Sequence, residues 1–292
     1  MAMYKIFSLL NVLCSVINSS EYSSLDSMLA HYLIDNFERI SELNIYDVAS
    51  QCYCTRKSVS RFCNKIGFPS FSALKNYSIR YKHIQWQNLN RLNVPDFKNS
   101  LMNQIDSVME NINLCIDRGE LDEMADLIHK SDSIMFLTDD SNRSLLSSFQ
   151  RSMTYCHKVV KIVSNTLGGD SMLKNMFELY KKNSNLILDS LGEEDLIITI
   201  SITGYFASAT KDIISLLNAK TVLVTLNHDL STFKAYDRIY YLSEEDHAHE
   251  GINAYSVYGL NYYLDNLLSI YFNKYGDKAL IEEQPKQEDE TE

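Results

Sequence analysis

The chain has 292 residues, 45% of them hydrophobic, and 27 Lys and Arg against 38 Asp and Glu give it a net charge of −11. That length and apolar content suffice for two compact domains with separate cores, and no apolar run approaches the ~20 residues needed to span a bilayer. The six cysteines (Cys14, Cys52, Cys54, Cys63, Cys115 and Cys156) show neither CxxC nor disulfide-framework spacing, which fits a reducing cytoplasm.

Residues 6–17 form an apolar dozen behind Lys5, the outline of an export signal. Asn11 interrupts the run, and a buried amphipathic helix is the better reading. Leu25, Met28, Leu29, Tyr32, Leu33 and Phe37 repeat at helical spacing and predict a helix over 24–37. A short helix from Ile45 then meets a polar break at residues 51–54, and Thr55 is a good N-cap for a second helix. Val59, Phe62, Cys63 and Ile66 make the apolar face of that helix, with Gly67 as its C′ residue. Short helix, tight turn and cationic second helix predict a helix-turn-helix that enters a DNA major groove.

Charge placement agrees. Between residues 51 and 95 there is no Asp or Glu, while Arg56, Lys57, Arg61, Lys65, Lys75, Arg80, Lys82 and Arg91 are cationic. Residues 1–84 carry nine Lys and Arg against six Asp and Glu, so a basic module is joined to a strongly acidic remainder. A solvated cationic face on any small helical domain is the bland alternative. Cys52, Cys54, Cys63 and His83 also suggest a zinc set, but Cys63 falls on the core face and there is no second Cys pair.

At these residues the sequence resembles the RpiR-type transcriptional regulators. Ala49, Thr55, Ser58-Val59, Arg61-Phe62-Cys63, Lys65-Ile66-Gly67-Phe68 and Ser70-Phe71 are similar to that family's helix-turn-helix and the helix after it. Thr55 stands for the usual Ser and Ser58 for the usual Thr. The resemblance implies DNA contacts by Thr55, Lys57, Ser58, Ser60 and Arg61, and core roles for Phe62, Phe68 and Phe71. The charge pattern adds Arg56 and Lys65 to the candidate DNA-binding set.

A further helix is expected near 71–77, then a polar, Asn-rich linker over 85–100 broken by Pro95. Amphipathic helices follow over 101–116 and 121–128. From residue 133 the texture changes: short branched apolar runs at 133–137, 158–163, 196–200, 221–226 and 238–242 alternate with helical segments. Strands buried on both faces with crossover helices predict a parallel sheet, whose ligand loops lie beyond the strands' carboxyl ends. Residues 253–272 are amphipathic, and the acidic tail at 282–292 needs no fold. The expected architecture is an all-α helix-turn-helix domain (1–84), a linker (85–100) and an α/β sandwich with a parallel sheet (101–275).

Ser201-Ile202-Thr203-Gly204 lies between a strand and a helix expected over 206–217, where amides, hydroxyls and helix dipole suit an anion. A plain Ser/Thr cap gives the same letters. Residues 193–242 look like the second half of a sugar isomerase (SIS) domain, the effector domain of the same regulators. Asp195, Ser201, Thr203-Gly204, Lys220, Val224-Thr225, Ser231, Ala235 and Asp237 fall on its landmarks. The resemblance implies dimerisation and phosphosugar binding by Ser201, Thr203 and Gly204, and by Ser141 and Asn142 after the first strand. The family's first loop reads G-x-G-x-S, whereas this one is Thr138-Asp139-Asp140-Ser141-Asn142, and Phe206 replaces a hydroxyl. Two carboxylates near a phosphate repel it, so simple phosphosugar binding is expected to be weak or lost.

The expected function is a cytoplasmic RpiR-type regulator of sugar or amino-sugar metabolism. Its partners are double-stranded DNA, a sugar or sugar-phosphate effector, and a second copy in a homodimer or tetramer, with no membrane. No catalytic residue, metal or cofactor is assigned; the DHAHE run at 246–250 reads as a solvated loop. The rivals are a phosphosugar isomerase with a vestigial helical domain, and a pure interaction protein. For the first rival, Glu244, Glu245, His228, His247 and His249 are available as bases by position only.

Overall fold

The computed structural model describes residues 4–78, 95–139, 142–165, 192–215, 217–229, 234–244 and 254–278. They form two compact units, a helical one drawn from residues up to Asn103 and an α/β one drawn mainly from Gln104 onward. Arg80, Lys82, His83, Arg91, Asp140, Ser141, Ser231, Glu245, His247, His249 and the acidic tail lie outside the described residues.

The helical unit contains α1 (Tyr4–Ser19), α2 (Leu25–Asp35), α3 (Ile45–Gln51), α4 (Arg56–Lys65) and α5 (Phe71–Ser78). Side-chain oxygens close the starts of four of these helices. Ser24 accepts from the Ser27 amide at 3.2 Å, Asn44 from Tyr46 at 3.0 Å, Thr55 from Ser58 at 3.2 Å, and Ser70 from Ala73 at 3.1 Å. The core joins Leu13 of α1, Leu29 and Leu33 of α2, Val48 of α3, Phe62 and Cys63 of α4 and Leu74 of α5. α2 stops at Asp35, short of the expected Phe37, because the Asn36 side chain donates to the Tyr32 carbonyl at 2.8 Å and a 3-10 turn takes over. Phe37 is nonetheless buried, which kept the helical period intact in the sequence.

The α/β unit follows α6 (Phe97–Asp117) with α7 (Glu120–Lys130), β1 (Ile134–Asp139), α8 (Arg143–Thr154), β2 (Val160–Asn165), β3 (Leu196–Ile200), α9 (Tyr205–Ile214), β4 (Lys220–Thr225) and β5 (Arg238–Tyr241). After a π-helical turn (Tyr255–Gly259), α10 (Leu260–Tyr275) packs against α7 and α8. The five strands make one sheet in the order β2-β1-β3-β4-β5, with β4 parallel to both β3 and β5.

Side chains alternate across a strand. Leu196, Ile198 and Ile200 of β3 and Val222 and Val224 of β4 join the core shared with α7, α8 and α10. Ile197, Thr199 and Leu223, pointing the other way, are buried as well. Both faces are therefore covered, and the fold class expected from the sequence is the one observed. β1 and β2 are displaced from their expected spans. Lys158, expected inside the second strand, instead donates to the carbonyls of His129 (2.9 Å) and Ser131 (2.8 Å), closing the end of α7.

Two acidic residues brace the strands' amino ends. Asp195 accepts from the Ser133 hydroxyl at 2.5 Å and from the Gly192 amide at 2.7 Å, tying the approach to β1 to that of β3. Asp237 accepts from the Thr221 amide (2.8 Å) and hydroxyl (2.9 Å), tying β5 to β4. Ligand loops belong at the opposite, carboxyl ends. These two acids hold the scaffold together from the far side.

Candidate functional site

α3 and α4 are joined by a tight turn whose backbone bonds are short-range. The Cys52 amide donates to Val48, Tyr53 to Ser50 and Cys54 to Ala49. Tyr53 takes the left-handed conformation there, with φ of 49°. Thr55 then opens α4, its hydroxyl also 3.0 Å from that of Ser58. At the other end Gly67 has φ of 91°, which a side chain disfavours, and its amide donates to Asn64 while that of Phe68 donates to Cys63. This pair of bonds is a Schellman ending and fixes the length of α4.

Val59, Phe62, Cys63 and Ile66 are buried. Burial pushes the Cys63 thiol up to about 12 and, with nearby Cys54, that of Cys52 up to about 11, so both stay protonated near neutrality. Among the described residues no three metal-binding side chains cluster.

The opposite side of α4 is exposed at Arg56, Lys57, Arg61, Asn64 and Lys65, while Ser58 and Ser60 are half-buried. Lys57, Arg61 and Asn64 follow the i, i+4, i+7 spacing and form one outward stripe. Asn64 was not among the residues the sequence pointed to, because it is uncharged; its side-chain amide donates to the Ser60 carbonyl at 3.0 Å, and such amides can also pair with adenine edges in a major groove. Several residues expected to touch DNA also have partners within the protein. The Thr55 hydroxyl caps the helix, and Lys65 pairs with Asp26 of α2 at 2.5 Å. Arg56 donates to the Tyr46 hydroxyl at 2.7 Å and lies over its ring.

In the α/β unit, Ser201-Ile202-Thr203-Gly204 follows β3 as a turn, with the Gly204 amide donating to the Ser201 carbonyl at 2.9 Å and Gly204 at φ of 75°. The Ser201 hydroxyl points inward. It is 1% exposed and accepts from the Ala207 amide at 3.1 Å. The Thr203 hydroxyl faces the Tyr205 amide at 3.5 Å, and the Thr203 carbonyl accepts from the Asn227 side chain at 2.9 Å. The loop after β4 is thereby stapled to the turn, a link strengthened by the Leu226 amide bonding to Ile202 at 2.9 Å. Asn142 is buried at the start of α8 without capping it. His228 is 3.0 Å from the Ser243 carbonyl and stacks on Tyr241, so it is packed rather than poised as a base.

The inward hydroxyl has a measurable consequence. Ser201→Ala removes the acceptor of a buried helix-start amide and should cost about 1–2 kcal/mol. Amide exchange over α9 in the full chain would read this directly. Unchanged protection would show that the hydroxyl is available for a ligand.

No protein-family profile matches the chain, and no curated protein matches it. Among solved structures it is similar to Vibrio vulnificus NanR complexed with ManNAc-6P, at 14% identity over 91% of this chain and 92% of that one, with a TM-score of 0.45. It is also similar to the sugar isomerase domain of an RpiR transcription factor from Sphaerobacter thermophilus, at 12% identity over 60% and 90% of the two chains, with a TM-score of 0.40. A Methanococcus jannaschii protein, for which a 3-hexulose-6-phosphate isomerase function was inferred, matches at 14% identity over 64% and 96%, with a TM-score of 0.43. At such identities the likeness assigns no function.

Proposed function

We propose that this protein is a DNA-binding transcriptional regulator of the RpiR type, reading double-stranded DNA through α4. One observation carries the reading: a capped helix behind a tight turn exposes Lys57, Arg61 and Asn64 as one stripe, within a stretch free of acidic residues. A cationic helix face of this size matches a major groove, and its charge supplies the counterion-release part of the affinity. The α/β unit serves as a dimerisation domain, and two reading heads then engage half-sites about one helical turn apart. A sugar-related effector at the 201–204 turn is the regulatory part of the proposal. Because the Ser201 hydroxyl caps α9, Thr203 would carry the contact.

The test is fluorescence anisotropy of the full chain with a labelled duplex of about 30 base pairs, from about 50 to about 200 mM salt. Affinity should fall steeply and linearly on logarithmic axes. A hexose 6-phosphate should shift the curve only in the millimolar range, because the cradle has lost one hydroxyl. Absence of duplex binding at the lowest salt would overturn the regulator reading.

A further inference from the structure

We infer that Tyr46 is a positioning residue of the DNA-contacting surface, holding the Arg56 guanidinium for a backbone phosphate; the inference rests on the DNA-binding reading. Tyr46 lies in the first turn of α3 and Arg56 is the first residue of α4, so one side chain from each helix bridges the two elements. Arg56 Nη1 donates to the Tyr46 hydroxyl at 2.7 Å, and the guanidinium carbon stands 4.4 Å from the ring centroid. A hydrogen bond and a cation–π interaction together remove most of the rotamer freedom of an exposed arginine.

The pair is exposed where a core pair would not be. Tyr46 is 58% exposed, and Arg56 is exposed as well. An exposed tyrosine that only filled space would not need its hydroxyl aimed at a cation. Arg56 has four further N–H donors in a planar fork, suited to phosphate oxygens. The tyrosine oxygen accepts from Arg56 and acts on the anion only through it. Ring and hydroxyl therefore act as a preformed bracket, and the ordering cost of Arg56 falls before DNA arrives.

The experiment is a double-mutant cycle on the full chain with the same 30-base-pair duplex. Tyr46→Phe should weaken binding about threefold to tenfold while leaving the salt slope unchanged, because the charge on Arg56 remains. Arg56→Ala should lower the slope by about one, and adding Tyr46→Phe to it should change nothing further. Arg56→Lys keeps the charge but not the planar fork, so it should retain the slope and lose the dependence on Tyr46. Strictly additive effects of Tyr46→Phe and Arg56→Ala would overturn the positioning role while leaving the DNA-binding reading intact. Wild-type protein that fails to bind the duplex would overturn both. Helical circular dichroism checks that each variant folds.

Discussion

Replacing Lys57 and Arg61 together by Glu should abolish duplex binding while leaving the helical unit folded. Both side chains are exposed, and neither supports the core that Val59, Phe62 and Cys63 build. Removing a side chain from a base edge costs about 1–3 kcal/mol, and removing one from a phosphate lowers the salt slope by about one. Reversing two charges adds repulsion from the phosphates, so the combined weakening should reach about a thousandfold at about 100 mM salt. Unchanged anisotropy with an unchanged melting profile would show that α4 is not the reading helix. Weakening accompanied by melting would call for the single substitutions Lys57→Ala and Arg61→Ala, each expected to reduce affinity with the fold retained.

Phe62→Ala should have the largest effect on stability, about 3–5 kcal/mol. Its ring is 2% exposed and meets the hydrophobic core from the middle of α4. Truncating the ring leaves a cavity between α4 and its neighbours, and the capped ends of α4 prevent the helix from sliding to fill it. Two compact units need not melt together, so a single midpoint for the whole chain is a poor readout. Amide exchange over α3, α4 and α5 is the better one, with acceleration there and none over β3 and β4. Equal acceleration in both units would show that they unfold as one.

Helix α4 was legible because its signals are local. Thr55, the spacing of Val59, Phe62, Cys63 and Ile66, and Gly67 each act within a turn or two of themselves. What the sequence did not reveal was long-range or compensated. Lys65 pairs with Asp26, a partner distant in sequence that leaves no local trace. Thr138 and Asp139 read as loop because they are polar, yet both belong to β1 and Thr138 is fully buried. Lys158 and Val159 read as strand, yet one closes α7 and the other is exposed. Tyr53 occupies a left-handed position where glycine is the usual residue, so the turn carried no sign of its own shape. Ser201 shows the same ambiguity in the candidate ligand loop: a cap and a cradle use the same letters, and only the direction of the hydroxyl tells them apart. The landmark acids Asp195 and Asp237 were legible as positions, but their work at the amino ends of the strands was not.

The sheet order also sets a timetable. Register pairs Leu196 with Lys220 and Val222 with Arg238, and β1 lies between β2 and β3, so each pairing must wait for a crossover segment to close. Parallel pairing of this kind is slow, because loop-closure entropy is given up before the interactions that offset it form. The helical unit needs only neighbouring helices, and it leaves the ribosome ahead of the sheet. Its cationic face should therefore be complete while the sheet is still assembling. On the proposed function, the chain would meet nucleic acid during synthesis as a single weak head, and tight recognition would begin only when the slower half has matured and joined a second copy.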